Sequence, residues 1–253
     1  MTLKDFYALL ARLFLGYIFF SSGLCKLSDG HFGQLIGPPL LIEELKKYQL
    51  GGFAIFLAFS QVMIGALILS QRWSLLGLIM LVPMNASILA ATISMQWQGT
   101  PYVNGFLLIL NLLVLLYEWK TLRFFLLPET TAIQLPGNTH RLFPHTSLAI
   151  SVVAVALVAA IGARYSNPIL MISGITVLVV AWINVWQSVQ ISRIAQTALA
   201  GSLLAVVSLS MATELTDLQL NVNVPLLAGI VLTLLATTIT TLMIWFSTIK
   251  RTV

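Results

Sequence analysis

Apolar residues run along this chain in long blocks rather than in short alternating stripes. The blocks fall at about 6–25, 52–70, 74–96, 103–119, 147–163, 168–187, 194–212 and 225–247. Each holds about 17 to 24 residues, and ~20 apolar residues in a helix cross the ~30 Å hydrocarbon core of a bilayer. A membrane strand takes only ~10 residues and alternates polar with apolar. In hydrocarbon, backbone N–H and C=O groups have no water to bond, so segments of this length must satisfy them as helices. The pattern predicts an all-α, polytopic membrane protein of about eight transmembrane helices.

The first block, from Phe6 to Leu24, follows Lys4. A cleaved signal would have a shorter apolar core, ~7–15 residues, and small residues after it. Here Cys25, Lys26, Leu27 and Ser28 follow. Lys and Leu around Cys25 also lack the small neighbours of a lipoprotein site. The block is read as a retained first span.

Composition agrees with the pattern. Of 253 residues, 58% are hydrophobic and 8% charged, against roughly a quarter charged in soluble domains. The net charge of +5 does not point to nucleic acid, because the basic residues are scattered at helix ends, where they encode topology. The single cysteine, Cys25, excludes an intrachain disulfide and an internal dithiol relay.

Thirteen Lys and Arg residues can be assigned to two sides. One side takes Lys4, Arg12, Arg72, Lys120, Arg123, Arg141, Arg193, Lys250 and Arg251. The other takes Lys26, Lys46, Lys47 and Arg164, with Asp29, Glu43, Glu44, Glu214 and Asp217. By the positive-inside rule both termini are cytoplasmic. The first outer connection weakens the bias, since Lys26 at its edge and Lys46 and Lys47 within it make three lysines.

Two loops are long enough to hold structure. The outer loop, 28–51, begins with Gly30, Gly33, Gly37, Pro38 and Pro39. It then turns helical in pattern, with Leu41, Leu45 and Tyr48 on one face and a Glu43–Lys47 pair at i,i+4. It is read as a short helix on the outer membrane face. The inner loop, 120–145, carries Pro128, Pro136, Gly137 and Pro144. It divides the chain into a four-helix membrane domain, 1–127, a cytoplasmic linker, 128–145, and a second four-helix region, 146–253. The halves show no sequence repeat. An inverted repeat is excluded, because four spans return the chain to its starting side.

Polar groups inside a membrane are costly and therefore informative. In the first half these are Arg12, Gln61, Asn85, Asn104, Asn111 and Glu118, with Lys26 beside Cys25 at the outer end of span one. Arg12 and Glu118 lie at similar depth and are candidates for a pair. The alternative is that Arg12 snorkels inward and Glu118 marks a helix end. The amides form a candidate lining for a polar cavity, or else serve as interhelical glue, worth about 0.5–2 kcal/mol each. Lys26 is read as an interfacial anchor, and Cys25 as a small buried residue. Asn184, Gln187 and Gln190 cluster with Trp182 and Trp186, read as an interfacial belt with polar glue.

Some chemistries are absent from the pattern. His31, His140 and His145 are all in loops, whereas a haem between membrane helices needs ligands within the spans. There is no Cys/His cluster with metal spacing and no phosphate loop. No catalytic residue and no intrinsic cofactor is assigned. A quinone needs only an apolar slot and a polar group or two.

Span one reads Ala11-Arg12-Leu13-Phe14-Leu15-Gly16-Tyr17, then Ser21-Ser22-Gly23-Leu24-Cys25-Lys26-Leu27. This resembles the opening of the DoxX-like family, with its Arg-Leu-x-Leu-Gly stretch followed by Ser-Gly-x-x-Lys-Leu. Gln61, Gly65, Ala66 and Leu69 are similar to that family's second helix. Gln98-Gly99-Thr100-Pro101 and the helix through Asn111 are similar to its fourth. The resemblance covers residues 8–120. Where Gln61 stands the family usually has a glutamate, and the last four spans extend beyond its usual length. The resemblance implies an N-terminal DoxX-like four-helix bundle in a bacterial or archaeal inner membrane protein. It further implies a cofactor-free subunit or anchor of a quinone-linked redox complex, with protein partners in the bilayer. A carrier of lipid or a small molecule through the polar-lined bundle, and a non-catalytic scaffold, are the alternatives.

Overall fold

The structure, a computed structural model, describes residues 3–34, 41–126, 146–188 and 193–212. The regular elements among them are helices, with no strand. In chain order they are α1 (Leu3–Leu27), α2 (Leu41–Lys46), α3 (Gly51–Leu69), α4 (Ser74–Ser94) and α5 (Thr100–Tyr117). Then come α6 (Trp119–Leu126), α7 (Thr146–Gly162), α8 (Asn167–Ser188) and α9 (Arg193–Ser210). Seven of these coincide with apolar blocks. The block at 225–247 and the linker 128–145 lie outside the described residues. Five segments are long and apolar enough to cross a membrane: Lys4–Leu27, Gly51–Leu69, Ser74–Ser94, Thr100–Tyr117 and Asn167–Gln187. Thr146–Gly162 and Gln196–Ser210 are shorter apolar helices.

The helix ends follow local chemistry. Gly99 supplies a positive φ of 83° ahead of α5, and Pro101 sits in its first turn, where its missing N–H costs nothing. Glu118 ends α5, and α6 then runs through part of the segment read as the inner loop. The Gly30 N–H reaches back to the Cys25 carbonyl, 2.8 Å, with Asp29 left-handed at φ 51°; this is the Schellman way of ending α1.

The outer helix α2 buries Leu41, Ile42 and Leu45. Tyr48, expected on that face, is exposed, because the helix has ended at Lys46 and the chain turns at Gln49, φ 61°. For the same reason Lys47 bonds Glu44, 2.7 Å, at i,i+3 rather than Glu43 at i,i+4. That hydrogen bond holds the Lys47 ammonium pKa above its ordinary value.

Helix α3 is the hub. It packs against α1, α4, α7 and α8, and α2 lies across it. The α1–α3 seam is antiparallel and built on small residues. A Cβ at Gly23 would lie 2.7 Å from the Ala58 carbonyl oxygen. One at Gly65 would lie 2.5 Å from the Phe20 backbone nitrogen. Small residues let membrane helices approach backbone to backbone, which is where dispersion attraction is strongest. The buried apolar cluster runs from Leu9 to Leu199, so α7 and α8 share one core with the first five helices.

Residues 28–34, read as the start of an outer loop, instead fold back into the protein. Phe32 is fully buried and meets Phe20 edge-on, with ring centres 6.3 Å apart. Non-helical backbone survives at such a place only if protein satisfies it. The Phe32 N–H bonds Ser28 Oγ, 3.2 Å, and the Gly33 N–H bonds the Ser210 carbonyl of α9, 2.9 Å. A Cβ at Gly33 would lie 1.9 Å from the Leu209 carbonyl oxygen.

Exposed surface is apolar where water would not tolerate it. On α5, Phe106, Ile109, Leu112, Leu113 and Leu116 point outward, while Asn104, Leu107, Asn111, Val114 and Leu115 point inward. A helix with its amides inside and its hydrocarbon outside suits lipid.

Replacing Gly33 or Gly65 by Ala should destabilise the protein by about 1–3 kcal/mol, since neither backbone can yield. Gly52→Ala, where nothing lies within 4 Å of the new methyl, should be neutral or slightly stabilising. Thermal unfolding in detergent compares the three.

Candidate functional site

The sequence-predicted polar residues separate into three places. At the end where α1 begins, Arg12 and Glu118 form a buried ion pair through Arg12 Nη2 and Glu118 Oε1, closing α1 onto α5. Of the two sequence readings, pairing is the one observed. Beside it Tyr117 donates its hydroxyl to Asp5 Oδ1, a contact absent from the sequence reading. Arg12 Nε has no hydrogen-bond partner among the described residues.

In mid-bundle the amides bridge neighbouring helices. Asn85 Nδ2 donates to the Asn104 carbonyl, 3.2 Å, and Asn111 Nδ2 to the Leu78 carbonyl, 3.1 Å. Both bonds join α4 to α5, so these residues act as interhelical glue. Asn104, Asn111 and Glu118 recur every seven residues and therefore share the inward face of α5. Gln61 is buried in α3, and its Oε1 has no partner among the described residues. Asn85 Oδ1, Asn104 Nδ2 and Asn111 Oδ1 are likewise unpartnered.

At the opposite end lies a pocket of about 580 Å³. The end of α1 and its following turn form one wall, with Lys26, Ser28, Asp29 and His31. Ile42 and Lys46 of α2 and Ile55 of α3 form another, and residues 163–168, the turn after α7 and the start of α8, close it. Gln61 and the three asparagines are not in its wall. Lys26, read as an interfacial anchor, is 2% exposed, so its ammonium does not extend out from the protein. Its chain bends back along α1, and Nζ donates to the Ser22 carbonyl, 3.1 Å, and to Ser22 Oγ. Cys25 is buried, as expected.

The tryptophan cluster is split. Trp182 is buried and donates Nε1–H to the Leu199 carbonyl, 3.1 Å, and Ser202 Oγ, 2.9 Å. Asn184 Nδ2 donates to the Ser70 carbonyl of α3's end, 2.9 Å. Trp186 and Gln187 are exposed, as an interfacial belt requires. Gln190 lies outside the described residues. Sequence reading missed the link from Tyr17 to α9, where its hydroxyl lies 3.3 Å from Ser210 Oγ.

No group of three or more His, Cys, Asp or Glu that could hold a metal ion occurs among the described residues. Comparison with protein-family models, with curated proteins and with solved structures finds no match.

Removing one partner of the ion pair strands a buried charge, which costs about 3–5 kcal/mol. Arg12→Met alone and Glu118→Leu alone should therefore each lower the unfolding temperature more than the double variant does. A double-mutant cycle followed by thermal unfolding reads this directly.

Proposed function

We propose that the chain is a DoxX-like inner-membrane subunit that carries no redox group of its own and serves a quinone-linked oxidoreductase. In this reading it spans the bilayer eight times, with 225–247 as the last span and both termini cytoplasmic. The observation that carries it is the placement of the residues on which the resemblance rests. Gly16, Gly23, Gly65 and Leu69 build the α1–α3 seam. Arg12 ties that seam to α5, and Lys26 opens at the pocket. The residues of the resemblance thus supply the seam, one half of the lock and part of the pocket wall in a single bundle.

A bundle so tightly closed suits a docking and binding part better than a moving one. The second reading, a carrier of lipid or a small molecule, draws on the pocket. Its route through the amides is less favoured, because Asn85 and Asn111 spend their N–H groups on neighbouring backbone.

Purification of the full chain from its native membrane in mild detergent should bring down a partner with flavin, haem or iron–sulfur absorption. Added quinone should raise the unfolding temperature of that assembly. A solitary protein with no response to quinone sinks the redox reading. Reporter fusions after residue 253 and within 35–40 should report opposite sides of the membrane; the same side for both overturns the topology.

A further inference from the structure

Cations on the side opposite the termini run against the charge rule that orients membrane helices. There are four: Lys26, Lys46, Lys47 and Arg164. Lys47 is held by Glu44. The other three all line the same pocket. Among the described residues none of the three makes an ion pair, and the pocket's only carboxylate is Asp29. His31 adds an imidazole to the wall.

Lys26 is the informative member. A lysine at a helix end ordinarily extends its ammonium to water. This one is 2% exposed, and its nitrogen is turned back against the Ser22 carbonyl of the preceding turn. An ammonium has three N–H donors. Ser22 takes two of them, which leaves one for the cavity. Burying an ammonium without a counter-charge is expensive, so a mobile anion is the natural complement. Lys46 and Arg164 are exposed at the rim, and a guanidinium fork matches the oxygens of a phosphate.

We propose that this pocket binds a phosphate-type oxyanion, with Lys26 at its base and Lys46 and Arg164 as clamps at its mouth. The pocket's volume is within the ~300–1,000 Å³ usual for small-molecule sites. Its place at the end of the apolar helices puts the oxyanion at headgroup depth. Two sources share that chemistry: the phosphodiester of an anionic phospholipid, with Ile42 and Ile55 beside its glycerol, or free phosphate from solution. The inference does not depend on the redox reading.

The test uses the full chain in nonionic detergent, with unfolding followed by tryptophan fluorescence. The probes are phosphatidylglycerol, phosphatidylcholine, and inorganic phosphate against chloride at equal ionic strength. A ligand at a hundredfold excess over its Kd should raise the midpoint by about 5 °C or more. A shift with phosphatidylglycerol alone assigns a lipid headgroup, and one with inorganic phosphate as well assigns a soluble oxyanion. Lys26→Met should abolish the shift. Because that buried change risks misfolding, Lys46→Gln with Arg164→Gln, both at exposed positions, should at least halve it. The proposal fails if phosphatidylcholine matches phosphatidylglycerol and phosphate matches chloride. It also fails if the rim double variant keeps the full shift.

Discussion

A polar group surrounded by hydrocarbon has no water to fall back on, so each partner it finds inside the protein counts for more. Much of this structure is arranged around that constraint. Helix α5 shows it most simply. Its outward face is Phe, Ile and Leu, and its inward face carries Asn104, Asn111 and Glu118. On this face the Asn104 backbone carbonyl accepts from Asn85 of α4, the Asn111 amide donates to α4, and Glu118 pairs with Arg12 of α1. The polar residues thus fix which face of α5 turns inward, and the register of that face follows from their spacing.

The same constraint explains the segment after α1. Chain that leaves a helix normally stays in water, but residues 28–34 return to lie against the bundle. They can do so because Ser28 and the end of α9 accept the freed N–H groups. Phe32 then gains a buried place beside Phe20. The fold-back draws the turn after α1 onto α9, and that turn is one wall of the pocket. The fit allows no side chain at Gly33.

Close packing supplies the rest. Water is absent from the lipid-facing side, so helix association draws on dispersion and on short interhelical hydrogen bonds. Glycine and alanine along α1, α3 and α7 bring backbones near enough for both. Asn184 and Trp182 show the hydrogen bonds, each donating to a carbonyl on another helix. Their neighbours Trp186 and Gln187 stay exposed, so one short stretch of α8 holds both glue and surface.

Helix positions were legible in the sequence because hydropathy is a one-dimensional property: lengths and apolar content alone place α1, α3, α4, α5, α7, α8 and α9 within a few residues. Burial of the amides was legible too, since an amide in the middle of an apolar block has few places to go. Tertiary structure decided which partner each of them met. Arg12 and Glu118 are 106 residues apart, and only the α1–α5 contact chooses pairing over snorkelling. Lys26 reads as an anchor in one dimension, because its neighbours in space, α2 and the α7–α8 turn, are distant in sequence. The gathering of Lys26, Lys46 and Arg164 around one pocket was not legible in the sequence, because they lie on three separate segments that only the fold brings together.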